Sequence, residues 1–155
     1  HSFSESELNQ LWPILEKADR IIGYNSEHFD IPVLGNYYLG DLTKIPHLDI
    51  MKDVKEALGF RLKLADLAEA TLDNVTKSAD GLQAIRWWKE GKIDEIKKYC
   101  EQDVRVTKEV YDFGRQNQQL FYKSFNGEIL PFAVNFEPKP LTENQTTTIN
   151  LTLPF

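Results

Sequence analysis

The chain has 155 residues, enough for one domain with a sizeable core, and its 41% apolar, 27% charged and 12% aromatic content is that of an ordinary globular domain. Its net charge of −6 excludes a broadly basic nucleic-acid surface, because phosphate contacts are made mainly by Lys and Arg, so any role on nucleic acid must rest on a local site. No apolar run approaches the ~20 residues of a membrane span and no charged-then-apolar leader is seen; the single Cys100 excludes an internal disulfide, and a reducing, cytoplasmic setting without membrane contact is expected.

In chain order, Ser4 or Ser6 is placed to cap a helix whose apolar residues Leu8, Leu11, Trp12 and Leu15 recur at helical steps, and one face of it should pack on a sheet. Residues 19–25 read as a short buried strand ending near Gly23, and residues 29–39 as a helix with Pro32 in its first turn. A second strand is expected over residues 45–51, toward a sheet edge because of Pro46. Helices follow over residues 51–58, 62–72 and 82–90, and then one long amphipathic helix over residues 93–113. Strands flanked by helices in this way suggest an α/β layer. Asn126-Gly127 between two apolar runs, residues 120–125 and 129–136, is a hairpin signature. Beyond it lie a stiff Glu-Pro-Lys-Pro connector and a Thr- and Asn-rich tail with strand-like alternation over residues 148–153.

On the long helix, Tyr99 and Asp103 are four residues apart and so share a face, which directs a phenol and a carboxylate into one volume. That pair suits metal-assisted hydrolysis, and it also suits a structural hydrogen bond. Asn25 and Asp30 fall just past the first strand, and ligands of open α/β sheets collect at the carboxyl ends of strands. On local grounds alone, Asn25 could cap the turn, Asp30 could be an acid of a helix start and Phe29 could be core. Asp49, at the end of the second strand, offers either another carboxylate or, as the preferred reading, a holder of loop backbone. His28 and His47 show no zinc-like spacing. Trp87 and Trp88 read as one core and one partly exposed side chain, with a base-stacking platform as the alternative. Lys77, Arg86, Lys89 and Lys92 form a basic group that is either a solvated helix face or a set of phosphate contacts. Asn74, Asn144 and Asn150 match glycosylation sequons, although nothing else points to secretion.

Gly23-Tyr24-Asn25, three residues, and Phe29-Asp30-Ile31-Pro32, followed downstream by Tyr99-x-x-x-Asp103, closely resemble two of the three motifs of the 3′–5′ exonucleases with a ribonuclease H-like fold, the type with four acidic residues and a Tyr. The nearest likeness is to predicted exonucleases related to the proofreading domains of B-family DNA polymerases, over roughly residues 8–114. The resemblance implies an α/β fold, a mixed sheet flanked by helices, with a partial exonuclease domain over residues 1–119 and a C-terminal β-hairpin and tail over residues 120–155. It implies hydrolysis of DNA or RNA from the 3′ end with two Mg²⁺ or Mn²⁺ ions ~3.5–4 Å apart. By the same likeness Asp103 ligates the ion nearer the attacking water, Tyr99 orients that water, Asp30 serves the second ion, and Asn25 and Phe29 position the terminal nucleotide.

The family's first motif, an Asp-x-Glu on the first strand, does not precede Asn25, so the chain reads as beginning inside the domain. Two expectations follow. With Asp30, Asp103 and at most Asp49, metal binding is weak and the chain alone has little or no activity, the alternative being a non-catalytic nucleic-acid or protein-binding module. The first strand also presents a free edge, which the hairpin or the tail of the same or a neighbouring chain could cover. The expected partners are the 3′ end of DNA or RNA, a second copy through the sheet edge, and an attached polymerase or helicase region.

Overall fold

A computed structural model describes residues 1–72 and 81–137. Lys77 and the alternating tail therefore lie outside the described residues, as do all three sequons. The elements run α1 (Leu8–Glu16), β1 (Ile21–Gly23), α2 (Asp30–Gly35), β2 (His47–Asp49), α3 (Ile50–Leu58), α4 (Leu64–Thr71), α5 (Gly81–Lys89), α6 (Ile93–Asn117), β3 (Gln119–Lys123) and β4 (Ile129–Ala133). β1 and β2 pair in parallel, with Ile22 opposite Leu48, which is the arrangement that an intervening helix allows. β3 and β4 pair antiparallel as the Asn-Gly signature predicts, and Gly127 takes φ +84° in the turn. The hairpin is a separate two-stranded sheet, paired from Gln119–Ala133 to Lys123–Ile129, and is not hydrogen-bonded to β1 as a further strand. Pro131, which has no N–H to give a ladder, sits in β4 at this sheet's edge. Among the described residues no helix is long and apolar enough to cross a membrane.

The core is where the apolar stripes of α3, α4 and α6 meet the hairpin. Ile50, Val54, Leu67, Ala68, Val110 and Leu120 are fully buried there, joined by Val106, Val134 and Phe136. Tyr111 of α6 stacks on Phe136 at 5.7 Å, and Gly114 is the α6 position that leaves room for the Phe136 ring. Thr71 ties the last turn of α4 to β3, its hydroxyl donating to the Phe121 carbonyl and accepting the Phe121 N–H, each at 3.1 Å. Arg20, one residue before β1, donates to the Phe136 carbonyl at 2.7 Å and joins the two sheets.

Four expectations need correction. α2 stops at Gly35 and not near residue 39, because the Asn36 amide donates to the Pro32 and Val33 carbonyls at 2.9 and 3.2 Å and so occupies acceptors that a longer helix uses. α1 buries no residue; with only two three-residue strands in the β1–β2 sheet there is little face for it to cover, and Trp12 instead meets Tyr38 at 5.1 Å. Neither Trp87 nor Trp88 is core: Trp87 is half-buried against Tyr99 and Trp88 is 69% exposed. Neither Ser4 nor Ser6 caps α1, whose cap position is Glu7; Ser4 instead precedes a 3₁₀ turn over Glu5–Glu7 that leads into α1, and the Glu7 carboxylate accepts the Ser4 N–H at 2.9 Å and its hydroxyl at 2.6 Å.

Candidate active site

The site begins where β1 ends. A Cβ on Gly23 would lie 2.1 Å from the Ser26 hydroxyl oxygen, so the chain can fold back tightly here only without a side chain at that position. Tyr24 is half-buried and donates its hydroxyl to the Leu62 carbonyl at 2.8 Å; burial first, then the charges of Asp49 and Asp66, push its phenol well above the usual range. Asn25 takes φ +61°, a left-handed conformation that Asn tolerates better than most residues. Ser26 is buried, its hydroxyl 2.8 Å from Nε2 of His47 on the neighbouring strand.

Asp49 holds this turn. It is 5% exposed; Oδ1 accepts the Asn25 N–H at 2.7 Å and the Met51 N–H at 3.1 Å, and Oδ2 accepts the Glu27 N–H at 3.1 Å. One carboxylate thus caps α3 and fixes the loop after β1. The holder-of-backbone reading of Asp49 agrees with these bonds. From the fixed turn, the Phe29 N–H donates to the Asn25 carbonyl at 3.1 Å and the Ile31 N–H to the Ser26 carbonyl at 2.9 Å, and α2 starts with Asp30.

α6 supplies the other wall. Phe29 and Asp30 from the first arm, and Tyr99 and Asp103 from the helix, line one cleft of about 740 Å³ that runs along β1 and α6. Asn25 lies elsewhere, in a small polar pocket of about 260 Å³ beside Asp49, Lys52 and Arg61, with its Oδ1 buried and unpartnered. Phe29 is 63% exposed, a ring offered to the cleft mouth and not to the core. The Tyr99 ring meets Trp87 edge-on at 6.3 Å.

The carboxylates act on each other's surroundings. Partial desolvation, and more weakly the charge of Asp49, raises Asp30 above its ordinary value, opposed by its own backbone N–H and by His47. Cys100, between Tyr99 and Asp103 in sequence, has its thiol pushed up by burial first and then by Asp103 and Asp30, so both carboxylates act on one sulfur. Desolvation lowers His47 against the opposing pull of Glu27 and Asp49. Among the described residues no group of three or more His, Cys, Asp or Glu side chains comes together to hold a metal ion.

Sequence reasoning did not single out Cys100, Thr107 or Tyr111 as cleft residues. The steps of four and eight from Asp103 to Thr107 and Tyr111 were the available signal, since they continue the same face of the helix. Of the expected basic group, Lys92 pairs with Glu90 at 2.7 Å; the cation lining the cleft is Lys108.

Comparison with known proteins adds a family. No curated protein and no solved structure matches the chain. A family model described as the RNase_H superfamily matches residues 2–113, and that superfamily is in general one of hydrolytic nucleases acting on nucleic acid, usually with divalent metal ions. The match runs from α1 into α6, well over half of the chain, and the α/β architecture with its parallel β1–β2 pair agrees with it: the chain belongs to the RNase_H superfamily.

Proposed function

We propose that the chain is a 3′–5′ exonuclease domain acting on DNA or RNA, in which Asp30 and Asp103 are metal-binding carboxylates, Tyr99 orients the attacking water and Phe29 contacts the terminal nucleotide. Asn25 contributes through the turn that delivers Phe29 and Asp30. The observation that carries this reading is the convergence of Phe29, Asp30, Tyr99 and Asp103 on one cleft, from two elements far apart in sequence. Hydrolysis by two ions needs clustered carboxylates to replace much of the water around both. Asp30 and Asp103 alone do not fit a two-ion cage, and no third ligand joins them among the described residues. Mg²⁺ or Mn²⁺ binding is therefore weak in this chain, and it is weakly active or inactive on its own. The same shortage favours a second reading, a nucleic-acid-binding module that does not cleave.

The purified chain is incubated with labelled single-stranded DNA and RNA and Mg²⁺ or Mn²⁺, and Mn²⁺ binding is followed by electron paramagnetic resonance. The expected result is little trimming, and weak Mn²⁺ binding that falls further in Asp30→Asn and Asp103→Asn. Robust trimming abolished by Asp103→Asn refutes the expected inactivity and keeps the exonuclease. Mn²⁺ binding unchanged by both substitutions refutes the ligand assignment, and with intact strand binding it leaves the non-cleaving module.

A further inference from the structure

We propose that Trp87 is a positioning residue for Tyr99: the indole keeps the phenol ring in the orientation that lines the cleft. Only the use made of the phenol rests on the nuclease reading; the contact does not. α5 turns Gln83, Ala84 and Trp87 inward at helical steps, while Leu82, Ile85, Arg86, Trp88 and Lys89 are exposed. Trp87 is the one large side chain of the inward three. It meets Tyr99 edge-on, with ring centroids 6.3 Å apart and planes at 61°. The phenol lines the cleft and the indole does not, so Trp87 reaches Tyr99 from behind.

The corner between α5 and α6 fixes where the indole stands. Gly91 takes φ +69°, and the N–H groups of Gly91 and Lys92 donate to the carbonyls of Trp88 and Trp87 at 3.1 and 2.8 Å, the paired bonds of a Schellman turn. The Ile93 N–H, at the start of α6, donates to the Gly91 carbonyl at 3.0 Å, and Lys92 pairs with Glu90 at 2.7 Å. The Trp87 carbonyl is thus itself bonded into the corner, and no free loop separates the indole from the helix that carries Tyr99. An aromatic side chain on a helix has two χ1 wells, near 180° and −60°, which send the ring in different directions. A phenol that serves the cleft has to be kept out of the other well. Edge-to-face aromatic pairs shift equilibria by roughly two- to tenfold beyond the effect of buried area, enough to bias that choice.

The test is NMR of the isotope-labelled intact chain in EDTA, using the three-bond couplings from the Tyr99 backbone nitrogen and carbonyl carbon to its Cγ, which read the χ1 populations. One well is expected to dominate in the parent. Trp87→Leu, which keeps apolar bulk without a ring, is expected to raise the minor well roughly two- to tenfold, and Trp87→Phe to recover most of the bias. Circular dichroism establishes that each variant is folded. A parent averaged over both wells, or populations unchanged in folded Trp87→Leu, overturns the positioning, since a mere anchor of α5 would not move them. Neither metal nor cleavage enters this measurement. Populations that respond to Trp87 in a chain without Asp103-dependent trimming support the positioning and remove the role given to the phenol. Asp103-dependent trimming that Tyr99→Phe lowers and Trp87→Leu leaves unchanged overturns the positioning and keeps the exonuclease.

Discussion

Replacing Asp49 by Ala is the most demanding test of how the site is held. The substitution removes one carboxylate that satisfies three backbone N–H groups, those of Asn25, Glu27 and Met51, from a side chain only 5% exposed. Loss of the helix cap at Met51 costs about 1 kcal/mol. The Asn25 and Glu27 donors lie in a partly buried turn that water reaches in part, so each costs about 1 kcal/mol, toward the lower end for an unsatisfied buried group. The total is about 3 kcal/mol, which lowers the melting temperature by roughly 6–12 °C for a chain of this size. Asp49→Asn keeps an oxygen for Asn25 and Met51 and loses the acceptor for Glu27, so its cost is about 1 kcal/mol. Urea unfolding of both variants measures the difference. Asp49→Ala within ~0.5 kcal/mol of the parent, the usual range of a neutral surface change, or Asp49→Asn as damaging as Asp49→Ala, refutes the clamp.

Other expectations follow from the same contacts. Gly114→Ala gains helix propensity of ~1 kcal/mol, yet its Cβ would stand 2.4 Å from Phe136 Cε2 in the core, so thermal melts should show a net loss of about 1–2 kcal/mol; Gly35→Ala, with nothing within 4 Å, should show none. His47 has a folded pKa below its unfolded value, so the folded state binds fewer protons and stability falls as pH drops below the ordinary ~6.5; His47→Gln should flatten that slope in urea titrations between pH 7 and 5, and an unchanged slope counts against the buried Ser26–His47 contact. Cys100 is exposed to a thiol reagent, yet partial desolvation and then Asp103 and Asp30 favour its thiol form and should slow its labelling; Asp103→Asn should speed labelling near pH 8 by favouring the thiolate, and no change argues against an effect of Asp103 on Cys100.

The order and kind of the elements were legible in the sequence because they depend on local pattern. The α6 stripe, the Asn126-Gly127 turn and the short apolar run of β1 each obey a period or a turn chemistry that neighbours in the chain dictate. The extent of α2 was not legible, because its end depends on where the Asn36 amide finds its acceptors. The exposure of Trp87 and Trp88 was hidden for a similar reason: helical spacing alone does not say which face meets another element, and α5 packs on α6 through one side only.

The site divides along the same line. Sequence determined the candidate side chains, since a carboxylate just past a strand end and a Tyr and Asp one helical turn apart are set by residue type and spacing. Only the tertiary structure brought Asp30 and Asp103 to one cleft and set Asn25 in another pocket. It did so through non-local contacts: the Asp49 carboxylate bonded across the β1–β2 pair, and the packing of α6 on α4 and the hairpin that fixes which face of the helix looks at α2. Side-chain identity is a property of the chain, but the distance between residues 30 and 103 is decided by the core that closes the loop between them.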